Sequence, residues 1–349
     1  MGVELLICCL SLPKNTELRK ILLIRFSSIG DIVLTTPVIR CLKQQLPDVE
    51  LHMLTKSSYR SICAANPYIN KVYELQGNMK GLLRQLKDEH YDFVVDLHKN
   101  WRSLRVRMAL HCSSASFPKL DFQKFLYTKL KIGHLPDVHI VDRYFKAVER
   151  LNVHNDGQGL DFFFNEGDEL HYEDLPETFH EGFVAVVIGG QHATKILPVD
   201  KVVEVCEALD YPVILVGGRE DFARGERIKE KVGSYVGNSC GSLTLGQSAS
   251  LLKLSDAVLT NDTGMMHIAA ALRKPIVSIW GNTVPEFGMY PYLPQGMKPA
   301  TIIENKSLRC RPCDKLGYAK CPKGHFNCMN SLDSKEIAEK IRAELASGS

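Results

Sequence analysis

Three short signatures are missing from this chain of 349 residues, and each absence removes a class of chemistry. No G-x-G-x-x-G occurs, which argues against a dinucleotide-dependent dehydrogenase, and no G-x-x-x-x-G-K-[ST] occurs, which argues against a P-loop enzyme. There is no D-x-D pair either, so a nucleotide diphosphate would lack the usual carboxylates that hold it through a divalent ion. No run approaches the roughly 20 apolar residues needed to span a bilayer. The opening MGVELLICCLSLP is apolar but short, contains Glu4, and lacks the basic start and cleavage site of a secretory signal, so it reads as an irregular extension. A cytoplasmic protein is expected, with peripheral contact on the inner face of the cytoplasmic membrane left open. Net charge is only +3 and stacking aromatics near the basic segment are few, which argues against a general nucleic-acid binder.

What remains is ordinary globular material, 45% hydrophobic and 24% charged, long enough for two domains. Eleven cysteines, an odd number, are spread through apparent core segments such as Cys41, Cys63 and Cys206. Reduced thiols acting as small hydrophobes in a reducing compartment fit that pattern.

Short apolar runs alternate with helical patterns. ILLIR (21 to 25), VELHMLT (49 to 55), KVYEL (71 to 75) and DFVVDLH (92 to 98) come first, and FVAVVIGG (183 to 190), PVILVGG (212 to 218), AVLTND (257 to 262) and PIVSIW (275 to 280) follow. Continuous apolar runs of this kind are strands covered by helices on both faces, hence parallel sheets. The fold class is α/β, in two halves. The quieter stretch 152 to 181 is the natural linker, and the expected domains are 18–165 and 166–349.

Ligands of open α/β sheets bind beyond the carboxyl ends of the strands, so four loops stand out. RFSSIGD places Gly30 and Asp31 where a strand stops and a helix begins; Asp31 is either a helix cap or a general base. GGQHATKILP (189 to 198) puts Lys195 behind two glycines, suited to an anion or simply solvated. TNDTGMMHIAAAL (260 to 272) offers the free first-turn N–H groups of Thr263, Gly264 and Met265 to a diphosphate, with His267 one turn later. There Asp262 is expected to hold the loop through backbone hydrogen bonds. In VGGRED (216 to 221), Glu220 or Asp221 could take ribose hydroxyls or cap a helix; Glu220 is chosen.

Two further clusters are basic and sulfur-rich. Residues 98 to 131 hold Arg102, Arg105, Arg107 and five lysines against the single acid Asp121. An anionic acceptor or a solvated helix face would suit them equally. In the tail, Cys310, Cys313, Cys321 and Cys328 are either structural zinc ligands or reduced thiols, the second pair lacking the short spacing of a strong zinc motif.

The loops at 25 to 37, 189 to 198 and 260 to 272, in that order, resemble those of the lipopolysaccharide heptosyltransferases, glycosyltransferase family nine. The resemblance spans roughly residues 20 to 330 and rests on SSIGD…TTP and NDTGMMHIAAAL together. It implies the GT-B fold, two facing Rossmann-like domains with parallel sheets and an interdomain cleft, the C-terminal one holding an ADP-heptose-like nucleotide-sugar donor. It implies Asp31 as catalytic base and Ser28, Lys195, Asp262, Thr263, Gly264, Met265 and His267 on the donor. The reaction expected is inverting, metal-independent transfer of a heptose or similar sugar to a lipopolysaccharide core acceptor, an anionic lipid-linked sugar, near Arg102, Arg105 and Arg107. No cofactor is required for that catalysis. The chain departs from many relatives at ILP after Lys195 and at Asn282 in WGNTVPEF. The rival readings are a nucleotide-sugar epimerase of the same two-domain fold and, further off, a noncatalytic nucleic-acid or envelope-binding module.

Overall fold

A computed structural model describes residues 18–347, so the opening MGVELLICCLSLP lies outside the described residues. The first sheet holds β1 (Lys20–Ile24), β2 (Glu50–Lys56), β3 (Lys71–Leu75), β4 (Phe93–Asp96) and β5 (Ser113–Ser116) in the spatial order β3-β2-β1-β4-β5. The second holds β6 (Val184–Val187), β7 (Val213–Val216), β8 (Val236–Asn238), β9 (Ala257–Asn261), β10 (Ile276–Trp280) and β11 (Thr301–Glu304) in the order β11-β10-β9-β6-β7-β8. Every recorded strand pair is parallel.

Burial explains why the apolar runs became central strands. Successive residues of β1 point to opposite faces, yet Ile21 to Ile24 are all sealed from solvent because helices cover both sides. Leu82 and Leu86 of the helix Met79–Asp88 and Val106 of the helix Trp101–Leu110 pack with Leu22, Ile24, Leu54 and Val94. In the second sheet, Val202, Val205 and Leu209 of the helix Val199–Leu209 and Ile337, Ala338 and Ile341 of the helix Ser334–Ser347 close over β6, β7, β9 and β10.

The three strands absent from the sequence reading, β5, β8 and β11, all lie at sheet edges. SSAS, VGN and TIIE have one flank open to solvent and need no continuous apolar run. Both sheets reverse strand order beside their first strand, between β1 and β4 and between β6 and β9. Those are the switch points at which loops part and leave a crevice.

Packing divides the described chain into two compact units. One comprises residues up to Ser27, Val38–Pro118 and Tyr144–His154; the other comprises Ser28–Pro37, Lys119–Arg143 and the chain from Asn155 on. The division is finer than a single boundary between 165 and 166. The segments 28 to 37 and 119 to 143 pack with the unit of the second sheet.

One buried side chain holds the loop after β10. The Arg311 guanidinium donates to the carbonyls of Trp280, Gly281, Thr283 and Asn305 and pairs with Glu304 at 2.9 Å. Arg311→Ala would strip four carbonyls of their donor and leave the buried Glu304 carboxylate with only the exposed Lys306, 3.5 Å away, as a counter-charge. A loss of about 3–5 kcal/mol in unfolding free energy is expected by urea titration; a loss below about 1 kcal/mol would show that the clamp is dispensable.

Candidate active site

In the second unit the switch point lies between β6 and β9, and the loops leaving these neighbouring strands carry Lys195 and Asp262. Lys195 closes the short turn Ala193–Lys195, and its Nζ lies 2.6 Å from Asp262 Oδ2. Both side chains are largely buried, so water screens this pair less than a surface one. The same Oδ2 accepts a hydrogen bond from Thr283 Oγ1 at 2.7 Å, tying in the loop that Arg311 clamps. The expectation that Asp262 secures its loop through backbone hydrogen bonds is therefore corrected. The following helix, Gly264–Ala271, takes Thr263 as its N-cap, which puts the Asp262 carboxylate one residue outside capping register and turns it to side-chain partners.

Thr263 occupies the cap position without capping: its side chain makes no hydrogen bond to the first turn. The leading amides of the helix thus receive no cap from Thr263, and the Thr263 hydroxyl is itself buried with no hydrogen-bond partner among the described residues. Gly264 and the partly buried Met265 form that first turn. One turn on, His267 is 2% exposed, and its Nδ1 has no hydrogen-bond partner among the described residues. Burial pushes the His267 imidazole down to about 4, with the Asp262 and Asp31 carboxylates pulling it up and the Lys195 cation adding to the fall. The ring is neutral at pH 7.

Asp31 belongs to the same unit. Its helix, Ile29–Val33, meets Gly264–Ala271 at two glycines. A Cβ on Gly30 would lie 2.5 Å from His267 Cδ2, and one on Gly264 would lie 2.9 Å from the Ile29 side chain. Neither glycine has a positive φ, so close approach and not backbone conformation demands the missing side chain. Asp31 was read as the residue that starts this helix. The N-cap is instead Ser28, and Asp31, three residues on, accepts from the Ser28 amide at 2.9 Å and the Ser28 hydroxyl at 2.8 Å. The family resemblance implies Ser28 on the donor; in this structure its hydroxyl donates to the Asp31 carboxylate.

Lys124 was visible in the sequence only as one member of a basic run. From the helix Asp121–Phe125 its amine is pushed down to about 8, chiefly by burial and then by Arg143, while Asp121 and Asp31 oppose the shift. Asp31 thus sits within the field of a cation from another part of the unit. Asn282, beside Thr283, is 1% exposed, and neither carboxamide atom has a hydrogen-bond partner among the described residues.

The remaining candidates separate. Glu220 is exposed, whereas Asp221 is buried, accepts from the Gly218 amide at 2.9 Å and pairs with Arg224 at 2.7 Å, which makes it the loop's internal brace. In the first unit, Arg102 and Arg105 are exposed, but Arg107 turns toward the sheet, with Nε 3.1 Å from Ser114 Oγ and Nη1 3.7 Å from the buried Asp96. Two residues beyond Arg105 is more than half a helical turn, so the arginines cannot share a face. Cys310, Cys313, Cys321 and Cys328 are all free thiols, and among the described residues no three His, Cys, Asp or Glu groups gather to hold a metal ion. The Cys313 thiol donates to the Cys310 carbonyl, and burial pushes Cys328 up to about 11. No described helix is long and apolar enough to cross a membrane.

The family model for glycosyltransferase family 9 (heptosyltransferase) matches residues 79–318. Lipopolysaccharide heptosyltransferase 1 of Campylobacter coli is 24% identical over 290 residues, covering 76% of this chain and 84% of that protein. The solved structure of the Escherichia coli ADP-heptose lipopolysaccharide heptosyltransferase II superposes with a TM-score of 0.72 at 20% identity, over 94% of this chain and 99% of that one. The Escherichia coli heptosyltransferase WaaC, solved with ADP, superposes with a TM-score of 0.66 at 18% identity, over 93% and 99%. Both likenesses bear out the two-domain GT-B fold.

The buried histidines set an acid limit on the fold. His267, near 4, and His139, pushed by burial to about 3 beneath Tyr292, stay neutral when folded but take up protons when unfolded below about pH 6.5. The unfolded chain therefore binds more protons between about 6.5 and 4, and stability must fall as pH drops through that window, by about 1.4 kcal/mol per pH unit for each group at the steepest. Urea midpoints at pH 7, 6 and 5 would show the decline. His267→Asn should make it shallower, and an unchanged slope would contradict the neutral, buried ring.

Proposed function

The chain belongs to glycosyltransferase family 9, the heptosyltransferases, and from that premise we propose that it moves a heptose or similar sugar from an ADP-linked donor to a lipopolysaccharide core acceptor, inverting the anomeric carbon without a metal ion. The observation that carries this reading is the Lys195–Asp262 pair beside an uncapped helix N-terminus at the switch point, with the Asp31 helix packed on the same turn. The relatives act on ADP-heptose and lipopolysaccharide by their names, and the residues here have the chemistry for both.

The donor diphosphate lies over the first turn of Gly264–Ala271, where free amides and the positive end of the helix dipole meet phosphate oxygens. Lys195 supplies the cation. An ammonium has three N–H donors, and Asp262 takes one of them, which fixes the direction of the others. The Thr263 hydroxyl, without a hydrogen-bond partner among the described residues, gains an acceptor when the diphosphate is bound. Glu220, exposed on the loop after β7, takes the ribose hydroxyls in this reading.

In the transfer step an acceptor hydroxyl attacks the anomeric carbon from the face opposite the diphosphate. Its proton passes to the Asp31 carboxylate, the new glycosidic bond forms, and the bond from the anomeric carbon to phosphate oxygen breaks to release ADP. Ser28 holds Asp31 through one oxygen by two hydrogen bonds, which orients the base. Negative charge growing on the leaving diphosphate is met by Lys195 and the helix N-terminus, groups already in place before reaction. Arg102 and Arg105, exposed in the first unit, supply cations for an anionic acceptor presented at the inner face of the cytoplasmic membrane.

Asp31→Asn should lower kcat by about 10²- to 10⁴-fold while ADP affinity, read by calorimetry, stays within twofold of the parent. Retained turnover would remove Asp31 as the base. Lys195→Ala should weaken ADP binding by about tenfold or more, the range for a lost charge-assisted contact, and equal affinity would exclude the contact. Transfer that stops in EDTA and returns with magnesium would overturn the metal-free mechanism.

A further inference from the structure

The helix Trp101–Leu110 departs from the usual amphipathic plan. A helix lying on a sheet buries one apolar stripe and shows a polar one to water. Here Ser103 and Val106 are fully buried against the sheet, and the opposite face is apolar as well: Trp101 is 65% exposed, Leu104 49% and Met108 67%. Positions 101, 104 and 108 form one continuous outward stripe at helical spacing. Arg102 and Arg105 border it, with the Arg102 guanidinium 5.3 Å from the Trp101 ring centroid. From Lys99 to Leu110 there are four basic residues and no acid.

The inner face anchors this stripe firmly. Asn100 caps the first turn, accepting from the Arg102 and Ser103 amides at 2.9 Å, and the Ser103 hydroxyl donates to the buried Asp96 at 2.8 Å. The apolar outer face is therefore a fixed feature of the fold, not the frayed end of a loose segment.

We propose that this face is a docking surface for an anionic phospholipid bilayer, with Trp101, Leu104 and Met108 entering the headgroup boundary and Arg102 and Arg105 meeting lipid phosphates. It deepens, and rests on, the reading of an enzyme whose acceptor is lipid-linked. Charge complementarity selects the occupant. A second copy of the chain, related by a two-fold axis, would set the same unneutralised arginines against each other. A bilayer rich in anionic lipid offers an apolar interior and a negative surface side by side, the pairing that interfacial helices with tryptophan on one face and arginine at its margin recognise.

The two tryptophans make the test direct. Trp280 is fully buried, so a change in emission on adding vesicles reports Trp101. With the full chain and vesicles of phosphatidylcholine plus phosphatidylglycerol, the emission should shift to the blue and be quenched by brominated lipid. Vesicles of phosphatidylcholine alone should bind at least tenfold more weakly. In sedimentation with the mixed vesicles, the double substitution Trp101→Ser with Met108→Ser should reduce partitioning by about tenfold or more. Arg102→Gln and Arg105→Gln should each cost about fivefold and lessen the salt dependence.

All of these positions are exposed, and unchanged thermal midpoints would establish that the variants fold. Vesicle binding indifferent to the substitutions, or Trp101 emission unaltered by lipid, overturns the proposal. So does self-association without lipid that Trp101→Ser abolishes, since the stripe would then belong to a second copy. The readout uses no sugar transfer, so a chain that binds vesicles but transfers no heptose would count against the proposed function and leave the docking surface standing.

Discussion

The contact on which the site depends is the short ion pair between Lys195 and Asp262. Strands β6 and β9 are adjacent in the sheet, so two loops far apart in sequence leave it side by side, and the pair ties them at their carboxyl ends. A lysine so little exposed needs a counter-charge, and a carboxylate so little exposed needs a donor. Thr283 adds a third loop to the same oxygen, and Arg311 holds that loop from behind. The cation is thereby kept in one position at the mouth of the crevice. A bound anion would meet a prearranged charge and not a flexible surface lysine.

The second constraint is steric. Gly30 and Gly264 allow the first turns of two helices to approach as closely as backbone can, and His267 fills the remaining space with a neutral ring. An imidazolium there would add a second cation beside Lys195, and burial prevents it. The bonds of Asp31 to Ser28 close a capping box, and those same bonds orient its carboxylate within the field of His267.

Central strands were legible because burial on both faces requires an unbroken apolar run, which ILLIR, FVAVVIGG and AVLTND supply. Edge strands were not: SSAS and VGN satisfy only one neighbour, and nothing in their composition separates them from loop. Of the site, the residues on strand-to-helix loops could be found because glycine, acid and lysine at those points have local meanings. Partnerships between distant loops could not. Nothing near Asp262 in sequence announces Thr283, and nothing near Asp31 announces Lys124. Sequence periodicity could have separated Arg107 from Arg102 and Arg105, since helical spacing turns it toward the sheet.

The interleaved course of the chain has an evolutionary consequence. Its two units exchange the backbone five times between Ser27 and Asn155, so the unit with the second sheet also includes ten residues that follow β1 and a segment of twenty-five that precedes the linker. A single genetic crossover at the linker would separate those pieces from the sheet they pack against. Glycines shaped to one His267 would then face a stranger's helix. New pairings of donor and acceptor preference in chains of this layout are therefore more readily reached by point substitution in the loops than by shuffling whole halves.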